Sequence, residues 1–254
     1  MAAEPVVLIG GFGSHWRDYR RAGRLLAEVS GRRVFIVKLT RFSWLFGGLL
    51  DYSTLLSRTH AAVMHALRQT GASKVILVGH SAGGVVGRAY LGDQSLRAHH
   101  PAYHGHQRVA ALYMVGSPLK VVLSDPRHRG LRAAAWVDRV YPGAYFAAEG
   151  VRYYVVRGKF IEGKREGSLR QREAYFNYRF IAGEGAQWGD GVVPLALSVL
   201  EGAELIELEG VSHSPNWPRW FFADADTIRA WWRTPIPETA LLPFPVALPT
   251  AATA

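Results

Sequence analysis

Three residues that could cooperate in nucleophilic catalysis lie where strands of this sequence are expected to end. The first is Ser81, in Gly79-His80-Ser81-Ala82-Gly83, which matches G-x-S-x-G and follows the apolar run 74–78. Placed before a plausible helix over 84–91, this pattern predicts a sharp strand-to-helix turn that displays the serine hydroxyl. The alternative is a glycine-rich turn that binds phosphate, but neither G-x-G-x-x-G nor G-K-[ST] occurs. We therefore predict that Ser81 is a nucleophile.

A serine hydroxyl needs a base, and the base needs an orienting carboxylate. Of the ten histidines, His213 is the one that lies well downstream of Ser81 and just after a late strand. Asp190 precedes it, flanked by glycines and followed by the strand-like run 192–194. We predict His213 as the base and Asp190 as the acid, with an ordinary Asp-Gly turn as the alternative for Asp190. Lower-ranked acids in the same interval are Asp125, Asp138 and Glu149.

Acyl transfer also requires N–H donors for a developing oxyanion. In a turn of this type the residue after the nucleophile supplies one of them, which here is Ala82. The loop "LIGGFGSHW" (8–16) follows the first expected strand, and its glycines allow backbone N–H groups to converge. Phe12 is our candidate for the second donor.

The remaining histidines carry weaker signals. His80 adjoins the nucleophile, and we expect its side chain to point into the packing. The segment "RAHHPAYHGHQR" (97–108) contains four histidines, but no neighbouring acid or cysteine completes a ligand set, so a polar surface loop is the favoured interpretation. We expect neither a metal nor an organic cofactor.

The elements that must position these residues follow from hydropathy. Apolar runs recur at 6–11, 33–39, 74–79, 109–117, 151–158 and 203–210. Helix-period stretches lie between several of them, at 16–29 and 54–70, for example. Because the strands are apolar on both faces, we predict an α/β fold with a mostly parallel sheet and helices on both sides. A single domain over residues 1–234 would be followed by a Pro- and Ala-rich tail, 235–254.

Two regions interrupt the alternation, 40–53 and 119–150, and we predict that they form a small lid or cap over the working edge of the sheet. The first is dense in large apolar residues, which would be costly to leave bare to water. It either forms an apolar wall or packs on the core as an irregular helix. On the first alternative, Trp44, Phe46 and Leu49 are candidate substrate contacts, and the substrate is a lipophilic ester.

Composition limits the remaining classes of function. The chain has 254 residues, no cysteine and a net charge of +10, so disulfide and thiolate chemistry are excluded. The basic residues are scattered and accompany no zinc-finger or RNA-binding pattern, so we do not expect nucleic acid as a partner. A basic surface would favour transient contact with an anionic membrane. No signal peptide or membrane-spanning run is visible, so we expect a soluble cytoplasmic protein.

Taken together, these motifs resemble the α/β-hydrolase superfamily, lipase/esterase type, over about residues 5 to 233. The resemblance rests on residues 10–13, 79–84, 116–118, 189–194 and 212–214. The stretch 188–215 is most similar to a lipase-like branch found in cyanobacteria and plant plastids. One departure is that many lipases have His-Gly in the oxyanion loop where this chain has Gly10-Gly11.

The resemblance implies ester hydrolysis through an acyl-enzyme. Ser81 would be the nucleophile, His213 the base and Asp190 the acid, with oxyanion donors at Phe12 and Ala82. Thioesterase, amidase and acyltransferase reactions use the same residues and stay open as alternatives. So does a member of the family that binds a lipid or a partner without catalysis.

Overall fold

A six-stranded parallel sheet forms the centre of the protein. The computed structural model describes residues 2–48, 52–95, 101–120 and 132–236. The main strands are β1 (Val6–Ile9), β2 (Val34–Ile36), β3 (Val75–His80), β4 (Val109–Val115), β5 (Arg152–Lys159) and β8 (Glu204–Glu209). Their order is β2-β1-β3-β4-β5-β8, and every neighbouring pair is parallel. Two short strands, β6 (Ile161–Glu162) and β7 (Trp188–Gly189), pair antiparallel beside it. Each main strand lies within one of the apolar runs or extends past it by one residue, and the parallel sheet with its helices confirms the predicted α/β class.

Helices cover both faces of this sheet. They are α1 (Arg20–Ser30), α2 (Arg41–Ser43), α3 (Ser53–Thr70), α4 (Ala82–Leu91), α5 (Arg132–Val140), α6 (Leu169–Ala182) and α7 (Ala225–Trp231). α1 and α7 contribute to one buried apolar cluster, and α3, α4 and α5 contribute to the other. The sheet therefore lies between two helical layers.

Strand β3 shows why apolar residues occupy both faces. Val75 and Leu77 pack into the cluster under α3 and α4, whereas Ile76 and Val78 pack into the cluster under α1 and α7. All four are fully buried. Burying one such side chain stabilises the fold by about 1.5–3 kcal/mol.

The segment after β2 is folded rather than extended. Thr40 caps α2, and a π-helical turn over Trp44–Gly48 follows it. Trp44 is only 1% exposed and belongs to the core, whereas Phe46 on the same turn is 61% exposed. Leu49 lies outside the described residues.

Of the second predicted insertion, 119–150, the structure describes residues 119–120 and 132–150. Here α5 packs Ala134 and Val137 into the core. A role for either insertion as a lid stays a prediction. Within the described residues, the structure contains no helix that is both long and apolar enough to cross a membrane.

Candidate active site

Ser81 occupies a strained turn between β3 and α4. Its backbone angles, φ 54° and ψ −127°, lie where residues with a side chain are rarely found. Glycines permit this turn, because a Cβ on Gly79 would collide with the Gly83 carbonyl. A Cβ on Gly83 would lie 2.5 Å from the Ile9 carbonyl oxygen. The Ser81 N–H bonds Val115 O at 2.8 Å, which anchors the turn to β4. The predicted strand-to-helix turn is therefore present, with Ser81 half-buried at its tip.

Asp190 and His213 meet directly. Asp190 Oδ2 lies 2.7 Å from His213 Nδ1, and the His213 N–H donates to Asp190 O at 2.9 Å. The other carboxylate oxygen, Oδ1, accepts from the N–H groups of Val192 and Val193. Since a carboxylate only accepts, Nδ1 of His213 carries the proton and Nε2 is left as an acceptor. Both side chains are largely buried.

The three predicted residues are not linked into one chain of hydrogen bonds. Among the described residues, no hydrogen bond joins the Ser81 hydroxyl to the His213 ring. The connection runs instead through the neighbour of Ser81, because His80 Nε2 lies 3.0 Å from His213 O. Catalytic hydrogen bonds are often long before substrate binds, so this arrangement is compatible with a nucleophile and its base.

A second network, which the sequence did not reveal, connects the loop after β1 to His213. The Gly11 N–H donates to Tyr19 Oη at 2.8 Å, and Tyr19 Oη lies 2.7 Å from His80 Nδ1. His80 Nε2 must donate to His213 O, since a carbonyl only accepts, and His80 Nδ1 must therefore accept from Tyr19. The direction of every bond in the network is thus fixed. No local pattern marks Tyr19, which is 61 residues from His80.

His80 is buried as predicted, at 4% exposure. Burial, with the nearby His213 ring as a smaller cause, holds the pKa of the His80 imidazole well below its ordinary value of 6.5. Burial also raises the pKa of the Tyr19 hydroxyl to about 12. Both groups are therefore neutral near pH 7, as the direction of their hydrogen bonds requires.

The loop after β1 lies against the serine turn. A Cβ on Gly11 would come within 2.9 Å of Ser81 Cβ, so a larger residue would push the two apart. The Gly11 N–H already donates to Tyr19 Oη, so it is not available to donate to an oxyanion. Within the described part of the chain, the N–H groups of Phe12 and Ala82 donate no hydrogen bond. Their roles as oxyanion donors stay predictions.

The rival acids are engaged elsewhere. Asp138 pairs with Arg88 at 3.5 Å, and Glu149 lies 3.2 Å from His106 Nε2. Asp125 lies outside the described residues.

The histidine cluster of 97–108 is partly described, and His99 and His100 are not among those residues. His106 is buried, stacks on Phe146 with ring centroids 4.4 Å apart, and bonds Leu91 O through Nδ1. His104 is exposed. No group of three possible metal ligands occurs within the ranges that the structure describes.

The candidate substrate contacts differ in position. Trp44 lies in the core and meets the Phe12 ring edge-on at 5.9 Å, so burial supports packing for this residue. Phe46 is exposed, as are Phe42, Leu45 and Phe12. A direct substrate contact by Trp44, Phe46 or Leu49 stays a prediction.

Comparison with known proteins gives a family match over most of the chain. The sequence model described as "Alpha/beta hydrolase family" matches residues 6–248. A search of curated proteins gives no match. The narrower resemblance to a branch from cyanobacteria and plastids stays a prediction.

Solved structures show similarity at low identity. Est1E from Butyrivibrio proteoclasticus is 15% identical, with a TM-score of 0.48, over 83% of this chain and 80% of its own. Thermogutta terrifontis esterase 2 is 14% identical, with a TM-score of 0.48, over 90% of this chain and 79% of its own. A putative hydrolase from Xanthomonas campestris is 18% identical, with a TM-score of 0.44, over 82% of this chain and 87% of its own.

Proposed function

The chain belongs to the alpha/beta hydrolase family, and from this premise we propose that it is a serine hydrolase that cleaves carboxylic esters. The observation that carries the proposal is the 2.7 Å contact between His213 Nδ1 and Asp190 Oδ2, which leaves His213 Nε2 free as a base. The strained turn at Ser81 supports the same assignment, since strain of this kind clusters at functional sites.

The first half of the reaction forms an acyl-enzyme. Ser81 Oγ attacks the ester carbonyl carbon while His213 Nε2 takes the hydroxyl proton. The N–H groups of Phe12 and Ala82 donate to the oxyanion that develops on the carbonyl oxygen. The bond to the alcohol oxygen then breaks, and His213 returns the proton to the leaving alcohol.

The second half releases the acid. Water attacks the acyl carbon on Ser81 as His213 takes one of its protons. The bond to Ser81 Oγ breaks and the proton returns to the serine. Asp190 accepts the Nδ1–H bond of His213 throughout, which holds the ring orientation and stabilises the imidazolium that forms twice per cycle.

We propose a lipophilic acyl group as the substrate class. Phe12, Phe42, Leu45 and Phe46 are between 50% and 72% exposed. Phe12 belongs to the proposed oxyanion loop, and its ring leans on Trp44, so the segment after β2 adjoins that loop. Exposed apolar groups beside a reacting centre favour binding of an apolar chain. Transient contact of this apolar group with an anionic membrane is part of the same proposal.

The substrate class is tested with p-nitrophenyl esters of increasing acyl length. We expect kcat/KM to rise from acetyl to medium-chain esters, and Phe46→Ser to reduce that rise. Phe180→Ser is the matched control, because Phe180 is 64% exposed on α6, a different helix. A preference for acetyl esters that Phe46→Ser leaves unchanged would contradict the lipophilic class.

The reaction class is tested with acyl-matched substrates. An oxygen ester, a thioester and an anilide of one acid share the acyl group and differ only in the leaving group. We expect the oxygen ester to have the highest kcat/KM. Turnover of the thioester or anilide alone would instead favour a thioesterase or an amidase.

A further inference from the structure

A basic groove lies along the free edge of the sheet, outside the proposed active site. β2 is the edge strand, paired on one side with β1, and its residues are half-buried. α1 and α3 overhang it from the two faces of the sheet and enclose a groove of about 1130 Å³. The floor consists of Val34, Phe35 and Ile36. The groove therefore runs beside the free edge of β2.

Some backbone N–H and C=O groups of β2 point into the groove. Arg33 O accepts from Val6 N–H, and Val37 N–H donates to Leu8 O, so these two residues face β1. In a parallel pair both backbone groups of a residue face the same neighbour and alternate residues face opposite ways. Val34 and Ile36 therefore turn their N–H and C=O groups toward the open edge. An unpaired edge of this kind is a template for another strand.

The charge lining the groove is strongly unbalanced. One acid, Asp18, is present, and its carboxylate is used by the His15 N–H. The six cations that line the groove are Arg17, Arg20, Arg21, Arg24, Lys38 and Arg58. Among the described residues, none of the six lies within ion-pair distance of a carboxylate, although Arg32, Arg157 and Arg233 elsewhere do. The groove thus presents unneutralised charge.

The two walls differ in chemistry. Arg20 and Arg24 belong to the α1 wall, on the face to which Val34 and Ile36 point. The α3 wall, on the face to which Phe35 points, contributes Ala61 and Ala62 together with Arg58, whose guanidinium donates to Lys38 O at 2.6 Å. A strand added to β2 would direct alternate side chains toward these two walls. One set would meet the α1 arginines, and the other would meet a wall on which Arg58 is the one cation among the groove-lining residues of α3.

We propose that this groove binds an extended acidic peptide segment of a partner protein, added as a strand beside β2, with acidic residues alternating with apolar ones. Main-chain bonds to Val34 and Ile36 would hold the segment, and the α1 arginines would select its carboxylates. A second copy of this chain is disfavoured as occupant, since both grooves carry the same charge. Single-stranded nucleic acid is disfavoured because the Trp16 and Phe35 rings already have Arg17 and Arg33 over them.

The test is fluorescence anisotropy of the intact protein with a labelled peptide of alternating Glu and Val. We expect saturable binding that R20E/R24E weakens by about tenfold or more, since exposed charge pairs contribute modestly and here act together. R172E/R179E on α6 is the matched control. It makes the same change in net charge at exposed positions, and we expect it to bind like wild type. Circular dichroism establishes that all the variants are folded.

Further peptides separate strand addition from simple charge attraction. A peptide with all Glu in one block should bind more weakly than the alternating one. Two further peptides carry N-methyl groups on every second residue, one on the odd and one on the even positions. Only one of these sets has its N–H groups directed toward β2, so only that N-methylated peptide should fail to bind. The proposal would be overturned if all these peptides bound equally well. It would also be overturned if R172E/R179E weakened binding of the alternating peptide as much as R20E/R24E does. The same holds if oligothymidylate or anionic vesicles bind through Arg20 and Arg24 while the alternating peptide does not bind.

Discussion

Two histidine rings lie side by side at the candidate site, and their hydrogen bonds assign them different parts. The His80 and His213 ring centroids are 4.8 Å apart. Both ring nitrogens of His80 are used, one by Tyr19 and one by the His213 carbonyl. His213 uses Nδ1 for Asp190, which leaves its Nε2 as an acceptor. At the residue scale, then, His80 is a positioning residue and His213 the proposed base.

The choice of acid gives the first prediction. Asp190→Asn should lower kcat by on the order of 10³–10⁴-fold, because an amide in place of the carboxylate no longer holds the His213 tautomer or stabilises its cation. Asp138→Asn is the control, since Asp138 pairs with Arg88 rather than with His213 and is 34% exposed. Steady-state kinetics on one ester measures both. If Asp138→Asn were inactive and Asp190→Asn active, Asp138 rather than Asp190 would be the acid.

His80 gives a prediction about pH and stability. Its folded pKa lies below the ordinary 6.5, so below about pH 6.5 the unfolded chain binds a proton that the folded protein does not. The free energy of unfolding should therefore fall as pH falls, by up to about 1.4 kcal/mol per pH unit from this group. Urea unfolding between about pH 7.5 and pH 5.5 should show a smaller slope for His80→Gln than for wild type.

Other titrating groups are common to both proteins in this comparison. His60, whose pKa burial also lowers, contributes equally to the two slopes and cancels in their difference. Identical slopes for wild type and His80→Gln would mean that His80 is not held neutral by the fold.

At the scale of the element, the turn between β3 and α4 depends on the absence of two side chains. A methyl group at position 83 would be 2.5 Å from Ile9 O and 2.7 Å from Gly10 O, and both are backbone atoms that cannot yield cheaply. The turn therefore links the geometry of α4 to the loop that carries Phe12.

Gly83→Ala should accordingly destabilise the protein by about 1–3 kcal/mol and remove activity beyond what the lost stability explains. Gly150→Ala is the matched control, because Gly150 has φ 86° but open space around its Cα. It should lose only about 1 kcal/mol, from backbone strain, and keep full activity per folded molecule. Thermal unfolding and kcat on the same samples decide between them, and an active Gly83→Ala would contradict the close approach described above.

The strands and the serine turn could be predicted because their signals are local. A buried parallel strand is apolar on both faces, and a strained turn needs small residues at fixed offsets. The run 192–194 was predicted as strand-like, but within it only Pro194 makes a β-bridge, an isolated one to Gly189. The Asp190 side chain accepts the N–H groups of Val192 and Val193, and those residues form a bend instead.

The contacts that could not be predicted are those between distant parts of the chain. The Tyr19–His80 bond and the burial of Trp44 beside an exposed Phe46 depend on which elements the fold brings together. Composition and periodicity do not indicate which distant residues come into contact. The roles of Phe12, Ala82 and the segment after β2 stay predictions for the same reason.

At the scale of the whole molecule, two apolar clusters lie on opposite faces of one sheet. Leu55 on α3 belongs to one and Ile228 on α7 to the other, and both are fully buried. The sheet lies between them, since β1, β3, β4 and β5 each contribute alternate side chains to both clusters. We expect the two halves to unfold together.

Leu55→Ala and Ile228→Ala should each reduce the free energy of unfolding by about 2–5 kcal/mol, because each leaves a cavity. The double variant should show the sum within about 0.5 kcal/mol, since the sites share no partner, and a single transition. Guanidinium unfolding followed by tryptophan fluorescence and circular dichroism measures both quantities. Two separate transitions would contradict a single domain over residues 1–234.

Covalent labelling tests whether Ser81 is a nucleophile that His213 activates. The wild-type protein is treated with a fluorophosphonate, and the modified residue is located by mass spectrometry of its peptides. We expect one label, on Ser81, and no labelling of Ser81→Ala. Labelling of His213→Ala should be slowed by on the order of 10³-fold, with both variants folded. A label on another residue, or Ser81→Ala reacting at the wild-type rate, would contradict this role for Ser81.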